Sequence, residues 1–274
     1  METFKRSEME PAWRPGFVRR DHSQVGFTLV ELLVVIGIIA LLISILLPAL
    51  SAARASSDRV KCLSNIRQIT FALISYATER RGVLPFANAD GGSRGETRSG
   101  WLYTGNKLSN PAQLKDVESG DLSPYLNSRG VMHCPTDQSP YPDLGSFPQS
   151  IHPLTSYTLN VCIADYRKNY QSCKITQIRS DAILFWEPID LGVGGGSYSW
   201  DDGTTAADQS SITKHHGTRS TVGCVDGHAD LITREDFELY SGSNTRGKPL
   251  PPAPNKIWWC PFDKTGGRVQ WHGN

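Results

Sequence analysis

Five residues near the C-terminal third have the types and spacing of a metal centre. They are His215, His216, Asp226, His228 and Asp230. Two or three imidazoles with a carboxylate can hold zinc or another divalent metal, and His216, Asp226 and His228 are the strongest ligand candidates. Asp226, His228 and Asp230 alternate, so the last two would share one face of a strand. A plainer reading competes with this one. Asp226-Gly227 between two apolar runs is a hairpin signal, and the pair can simply form a type I′ turn to which His216 hydrogen-bonds.

A second acidic group, Asp201-Asp202-Gly203 with Asp208, could ligate calcium through loop carboxylates. The spacing does not follow an EF-hand loop, and solvated loop acids are the alternative. No cofactor beyond these possible calcium or zinc sites is expected. Six cysteines allow fifteen connectivities if all pair. Cys62 with Cys134 is the preferred bridge, because it would tie a long helix to the domain that follows. Cys162 with Cys173 could close a short loop. No C-x-x-C is present. H-E-x-x-H and G-x-S-x-G are also missing, so nothing points to an enzyme. Gly242 to Lys248 has the spacing of a phosphate-binding loop, but Pro249 stands where the magnesium-ligating hydroxyl belongs.

The elements that must position these residues are unevenly built. The chain has 274 residues, 28 Lys+Arg against 27 Asp+Glu, and 39% hydrophobic residues. No basic excess exists to neutralise phosphates, so a nucleic-acid partner is not expected. The apolar residues concentrate in one block. Residues 32–47 carry no charge, and from Phe27 to Leu50 the only charge is Glu31. Those 24 residues would make a helix of about 36 Å, enough to cross a bilayer core. An acid inside such a segment is costly, and it calls for a specific cationic partner. One alternative is an ordinary secretory signal cut near Ala53-Arg54-Ala55. Against it stand the long polar lead-in and Glu31 itself.

Beyond Ser57 the pattern changes. Cys62, Ile66, Ile69, Leu73 and Tyr76 recur at spacings of four and three, which predicts an amphipathic helix continuing to about Arg80. Gly82 and Pro85 mark its end. The remainder reads as loop-rich, with long loops at 87–100, 135–153 and 191–205. Short strands are expected at Ser156–Ile163, Ala182–Trp186, Ser220–Val225 and His228–Thr233, with a possible last one at Ile257–Trp259. The fold class is α+β, a long N-terminal helix packed on an antiparallel sheet.

Gly26-Phe27-Thr28-Leu29-Val30-Glu31 and the apolar run after it resemble the N-terminal signal of type IV prepilins and type II secretion pseudopilins. That resemblance implies cleavage after Gly26 by a prepilin peptidase and N-methylation of Phe27. It implies that Glu31 pairs with the terminal amine of a neighbouring subunit during assembly, and that Pro48, 22 residues after Gly26, loosens the helix. It also implies a domain plan: residues 1–26 a cytoplasmic leader, 27–50 a transmembrane and filament-core helix, 51–81 its amphipathic continuation, and 82–274 a periplasmic or extracellular head. The expected function is a pilin-like structural subunit of a pilus or pseudopilus. The expected setting is a single pass in a bacterial inner membrane, with prepilin peptidase and other pilin-like subunits as partners. The alternative is a membrane-tethered or secreted metal-binding or enzymatic domain using His216, Asp226 and His228.

The head carries a second resemblance. His216 with Asp226-Gly227 spells H-x9-DG, and the segment is similar to the prepilin-associated H-x9-DG group. Cys62 in KCLSNIRQI, Cys134 in HCPTD, Ser156-Tyr157-x-x-Asn160 and Glu187 after an apolar strand follow that group's order.

Overall fold

The computed structural model describes residues 27–88, 99–103, 120–137, 155–165, 171–188, 203–205, 212–213, 216–241, 255–257, 259 and 261. Asp201, Asp202, Asp208, His215, the leader and the 242–249 loop lie outside the described residues, as does most of the three long loops. The architecture is α+β. A 51-residue helix α1 (Leu29–Glu79) precedes strands β1 (Thr158–Asn160), β2 (Ala164–Asp165), β3 (Gln171–Ser172), β4 (Ile183–Trp186), β5 (Thr204–Thr205), β6 (Arg219–Cys224) and β7 (Ala229–Thr233). A short helix α2 (Arg234–Ser241) ends the series. By compactness the chain divides into Met1–Leu50 and Ser51–Asn274.

In the first unit, the start of α1 is fixed by a reciprocal cap. The Glu31 backbone N–H donates to Thr28 Oγ1 at 3.2 Å, and the Thr28 N–H donates to Glu31 Oε2 at 2.8 Å. This T-x-x-E capping box satisfies donors that a helix end leaves open. From there to Leu50 every residue is exposed, including sixteen Leu, Ile and Val side chains between Leu29 and Leu50. Pro48 sits inside the helix. Among the described residues, α1 is the helix long and apolar enough to cross a membrane.

In the second unit, α1 buries one stripe: Cys62, Asn65, Ile66, Ile69, Thr70, Ala72, Leu73, Tyr76 and Ala77. The helical spacing read from the sequence therefore marks the core face. The helix stops after Glu79. Arg81 takes a left-handed φ of 56°, and Gly82 follows at 86°, with its N–H closing back on the Ala77 carbonyl at 2.7 Å. That closure is of the Schellman type. Tyr76 then donates to Asp121 at 2.8 Å, and Arg80 lies 4.5 Å over the Tyr76 ring.

The sheet has the order β5-β1-β4-β6-β7. The run β1-β4-β6-β7 is antiparallel, and β5 adds a parallel edge against β1. β4 reads Ile-Leu-Phe-Trp and is buried on both faces. Trp186 packs against Phe237 of α2 with ring centroids 5.4 Å apart, and Phe185 meets Trp101 at the same distance. Helix α2 is capped by Thr233, whose hydroxyl accepts from the Asp236 N–H at 3.0 Å. Of the possible last strand Ile257–Trp259, the described residues Ile257 and Trp259 are not in a strand. Residues 255–257 form a bend, in which the Lys256 carbonyl accepts from Ile183 N and the Ile257 carbonyl accepts from Asn160 Nδ2.

The β6–β7 hairpin also departs from its expected turn. Gly227 has φ of 88°, but Asp226 is not left-handed, so the turn is not type I′. The register pairs Gly223 with Ala229, and Cys224 N–H donates to the His228 carbonyl, leaving Val225-Asp226-Gly227 as a three-residue loop. Only its last position needs a positive φ, which glycine supplies.

Candidate functional site

The fold divides the expected metal trio. His216 lies just before β6, where it bridges to Arg219, while Asp226 follows the strand's other end. The nine residues between His216 and Asp226 are mostly β6 itself. At about 3.3 Å per residue, its six residues hold the two ends nearly 20 Å apart. His216, Asp226 and His228 therefore do not form one site, and His216 does not bond the turn. Asp226 instead accepts from the backbone N–H of His228 at 3.0 Å and also pairs with its ring, both side chains about half exposed. The bond from His228 helps hold the Asp226 carboxyl below the usual range against the opposing effect of desolvation.

His216 belongs to a different cluster. Its side chain is 1% exposed and its Nε2 lies 3.4 Å from Glu187 Oε1 and 3.6 Å from Cys134 Sγ. Cys134 is joined to Cys62 by a disulfide with Cα atoms 5.3 Å apart, which ties α1 to the segment after residue 132. The ligand atoms of Cys62, Cys134, Glu187 and His216 all lie within 4.8 Å of one another, and all four residues are buried.

Each member is held from a different element. Cys62 comes from the buried stripe of α1. Cys134 is fixed by its N–H to Ser156 Oγ at 3.1 Å, and Asn65 braces the same segment through the His133 carbonyl at 2.8 Å. Glu187 directly follows β4. Its Oε2 accepts from Ser220 Oγ and from Thr221 N–H, both at 2.9 Å, while Oε1 has no hydrogen-bond partner among the described residues. Burial and the Glu187 charge push the Tyr157 hydroxyl well above its ordinary range.

The sequence pairs Cys62 with Cys134, and the structure forms that bridge, but the spacing does not bring His216 to it and gives Glu187 no role in a site. The available signal was a lone carboxylate immediately after the apolar run Ala182–Trp186. Asn160 proves architectural: it donates to the carbonyls of Ile183 and Ile257, both at 3.0 Å, and accepts from Cys162 N–H. Cys162 and Cys173 are not joined by a disulfide. The Cys162 thiol turns to the Ile257 carbonyl at 3.8 Å, and the Cys173 thiol is raised far above its ordinary range by burial.

At the N-terminus, Thr28 and Glu31 form the capping box described above, a motif-level signal that the sequence reading also passed over. Residues 22–47 match the model of the prokaryotic N-terminal methylation motif. No curated protein and no solved structure matches the chain. The motif, the long apolar helix that continues it and the α+β unit that follows make the chain pilin-like.

Proposed function

We propose that the chain is a structural subunit, not an enzyme, that assembles through its N-terminal helix into a type IV pilus or a type II secretion pseudopilus. In this reading prepilin peptidase cuts after Gly26 and methylates Phe27. Residues 27–50 are the membrane and filament-core segment, 51–81 continue the helix, and 82–274 form a head outside the inner membrane. Glu31 meets the terminal amine of a neighbouring subunit, because a carboxylate in an apolar segment needs a cation. Pro48 loosens the helix for packing.

One observation carries the reading. The methylation motif at 22–47 runs into a helix whose Leu29–Leu50 surface is apolar and wholly exposed. A contiguous apolar surface of that length needs lipid or other helices as its solvent. The H-x9-DG resemblance is supported by the way Cys62, Cys134, Glu187 and His216, separated in sequence, meet at one buried point. The mature N-terminus, read by mass spectrometry from cells that contain prepilin peptidase, tests the proposal. N-methylated Phe27 is expected. A chain that starts near residue 56 would instead mark an ordinary secretory signal and overturn it.

A further inference from the structure

We propose that Cys62, Cys134, Glu187 and His216 form a closed zinc site when the two cysteines are reduced, so that the same sulfurs serve either as a disulfide or as metal ligands. The inference concerns the second unit alone and stands independently of how the N-terminus is processed.

The donor set comes first. Thiolate, imidazole and carboxylate are all zinc ligands, and the sulfur and nitrogen donors disfavour calcium or magnesium. Zinc–ligand bonds of about 2.0–2.3 Å in a tetrahedron place the ligand atoms about 3.3–3.8 Å from one another. His216 Nε2 already stands 3.4 Å from Glu187 Oε1 and 3.6 Å from Cys134 Sγ. The four ligand atoms all lie within 4.8 Å of one another, so small shifts close the set once the two sulfurs separate, and breaking their bond allows that.

The surroundings are built for the same purpose. Glu187 Oε2 is pinned by Ser220 and Thr221, which aims Oε1 at the centre of the cluster. Oε1 is buried and makes no hydrogen bond among the described residues; it faces His216 Nε2 at 3.4 Å. A buried carboxylate oxygen left in that state is costly, and a divalent cation would satisfy it. Outer-shell hydrogen bonds of this kind orient metal ligands. The Thr136 hydroxyl lies 3.0 Å from Cys134 Sγ and can donate to a thiolate there. All four residues are buried, so the site would be closed and structural, without an open position for catalysis.

The redox step balances with an external dithiol as reductant. Two electrons and two protons pass from the dithiol to the Cys62–Cys134 bond. The products are two cysteine thiols and the oxidised dithiol. Zinc then replaces the two thiol protons, which leave to solvent.

The test uses the full chain in detergent micelles, oxidised or reduced, with zinc and then cobalt(II) as probes. The reduced chain is expected to retain about one zinc per chain through desalting, and the oxidised chain none. Cobalt should give the visible bands of a tetrahedral site and a sulfur-to-cobalt charge-transfer band in the near ultraviolet. Both bands should be lost or shifted in His216→Ala and Glu187→Gln. If reduction unfolds the chain, zinc should restore the circular dichroism of the oxidised form. A reduced chain that keeps its fold but retains no zinc overturns the proposal. So does an unfolded one that zinc does not restore, or a cobalt spectrum that neither substitution changes.

Discussion

Gly223 of β6 lies so close beneath Thr70 of α1 that a Cβ added to it would stand 2.3 Å from Thr70 Oγ1 and 3.3 Å from Ile66 Cγ1. The contact sets how near the helix approaches the sheet, since Thr70 is itself fixed by a 2.8 Å bond to the Ile66 carbonyl. Gly223→Ala should therefore destabilise the unit by about 1–3 kcal/mol, the usual penalty for overpacking a core. A urea titration of the Gly223→Ala chain measures it. Adding Thr70→Ala should recover part of the loss, because the two positions share the contact. Strictly additive effects would show that the helix does not rest on this glycine.

Glu31 has two roles that substitution can separate. It completes the capping box with Thr28, and in the proposed assembly it supplies a charge to a neighbour. Glutamine preserves the box and removes the charge; alanine removes both. Glu31→Gln and Glu31→Ala should both insert into membranes and both fail to enter filaments, measured by fractionation and by the subunit content of sheared filaments. Assembly of the glutamine variant at wild-type level would assign the residue to capping alone.

The long helix and its buried stripe were legible because periodicity records a face directly: Cys62, Ile66, Ile69, Leu73 and Tyr76 are all buried. The four main strands were legible from their β-branched and aromatic runs. The cluster at His216 was not. Its members stand at 62, 134, 187 and 216, and sequence pattern reports neighbours along a helix or strand, not convergence of four separate segments. The H-x9-DG spacing misled for the same reason. Nine residues look close in sequence, but when they hold an extended strand they keep their ends apart. Helix α2 went unread because its eight residues carry a single buried aromatic, Phe237, and too short a period to detect.

The Cys62–Cys134 bridge spans 72 positions of sequence. A cross-link closing a loop of that length restricts the unfolded chain strongly and contributes about 2–4 kcal/mol. Cys62→Ser with Cys134→Ser should lower the denaturation midpoint by that amount in an oxidising buffer. Because Asn65 bonds the His133 carbonyl beside the bridge, the folded arrangement should survive the loss at low temperature. Unchanged stability in the double variant would show that the bridge does not constrain the unfolded chain.

Alkaline pH should loosen the second unit. Burial pushes the Cys224 thiol up to about 12 from an ordinary 9.0, helped by the nearby Asp226 charge. Burial, with Asp121 as hydrogen-bond acceptor, pushes the Tyr76 hydroxyl to about 12 from 10.0. In both cases the folded state holds its proton more tightly than the unfolded state does. The unfolded chain therefore gains by ionising first, and stability falls as pH rises. The contribution is complete below about pH 9 and is lost progressively between pH 9 and 12. Chemical denaturation at a series of pH values should show this decline, and Cys224→Ala should flatten its lower part. In the native chain Cys224 should also resist alkylation at pH 9, because the thiolate is the reactive form. Alkylation at the rate of an exposed cysteine would place the thiol outside the core.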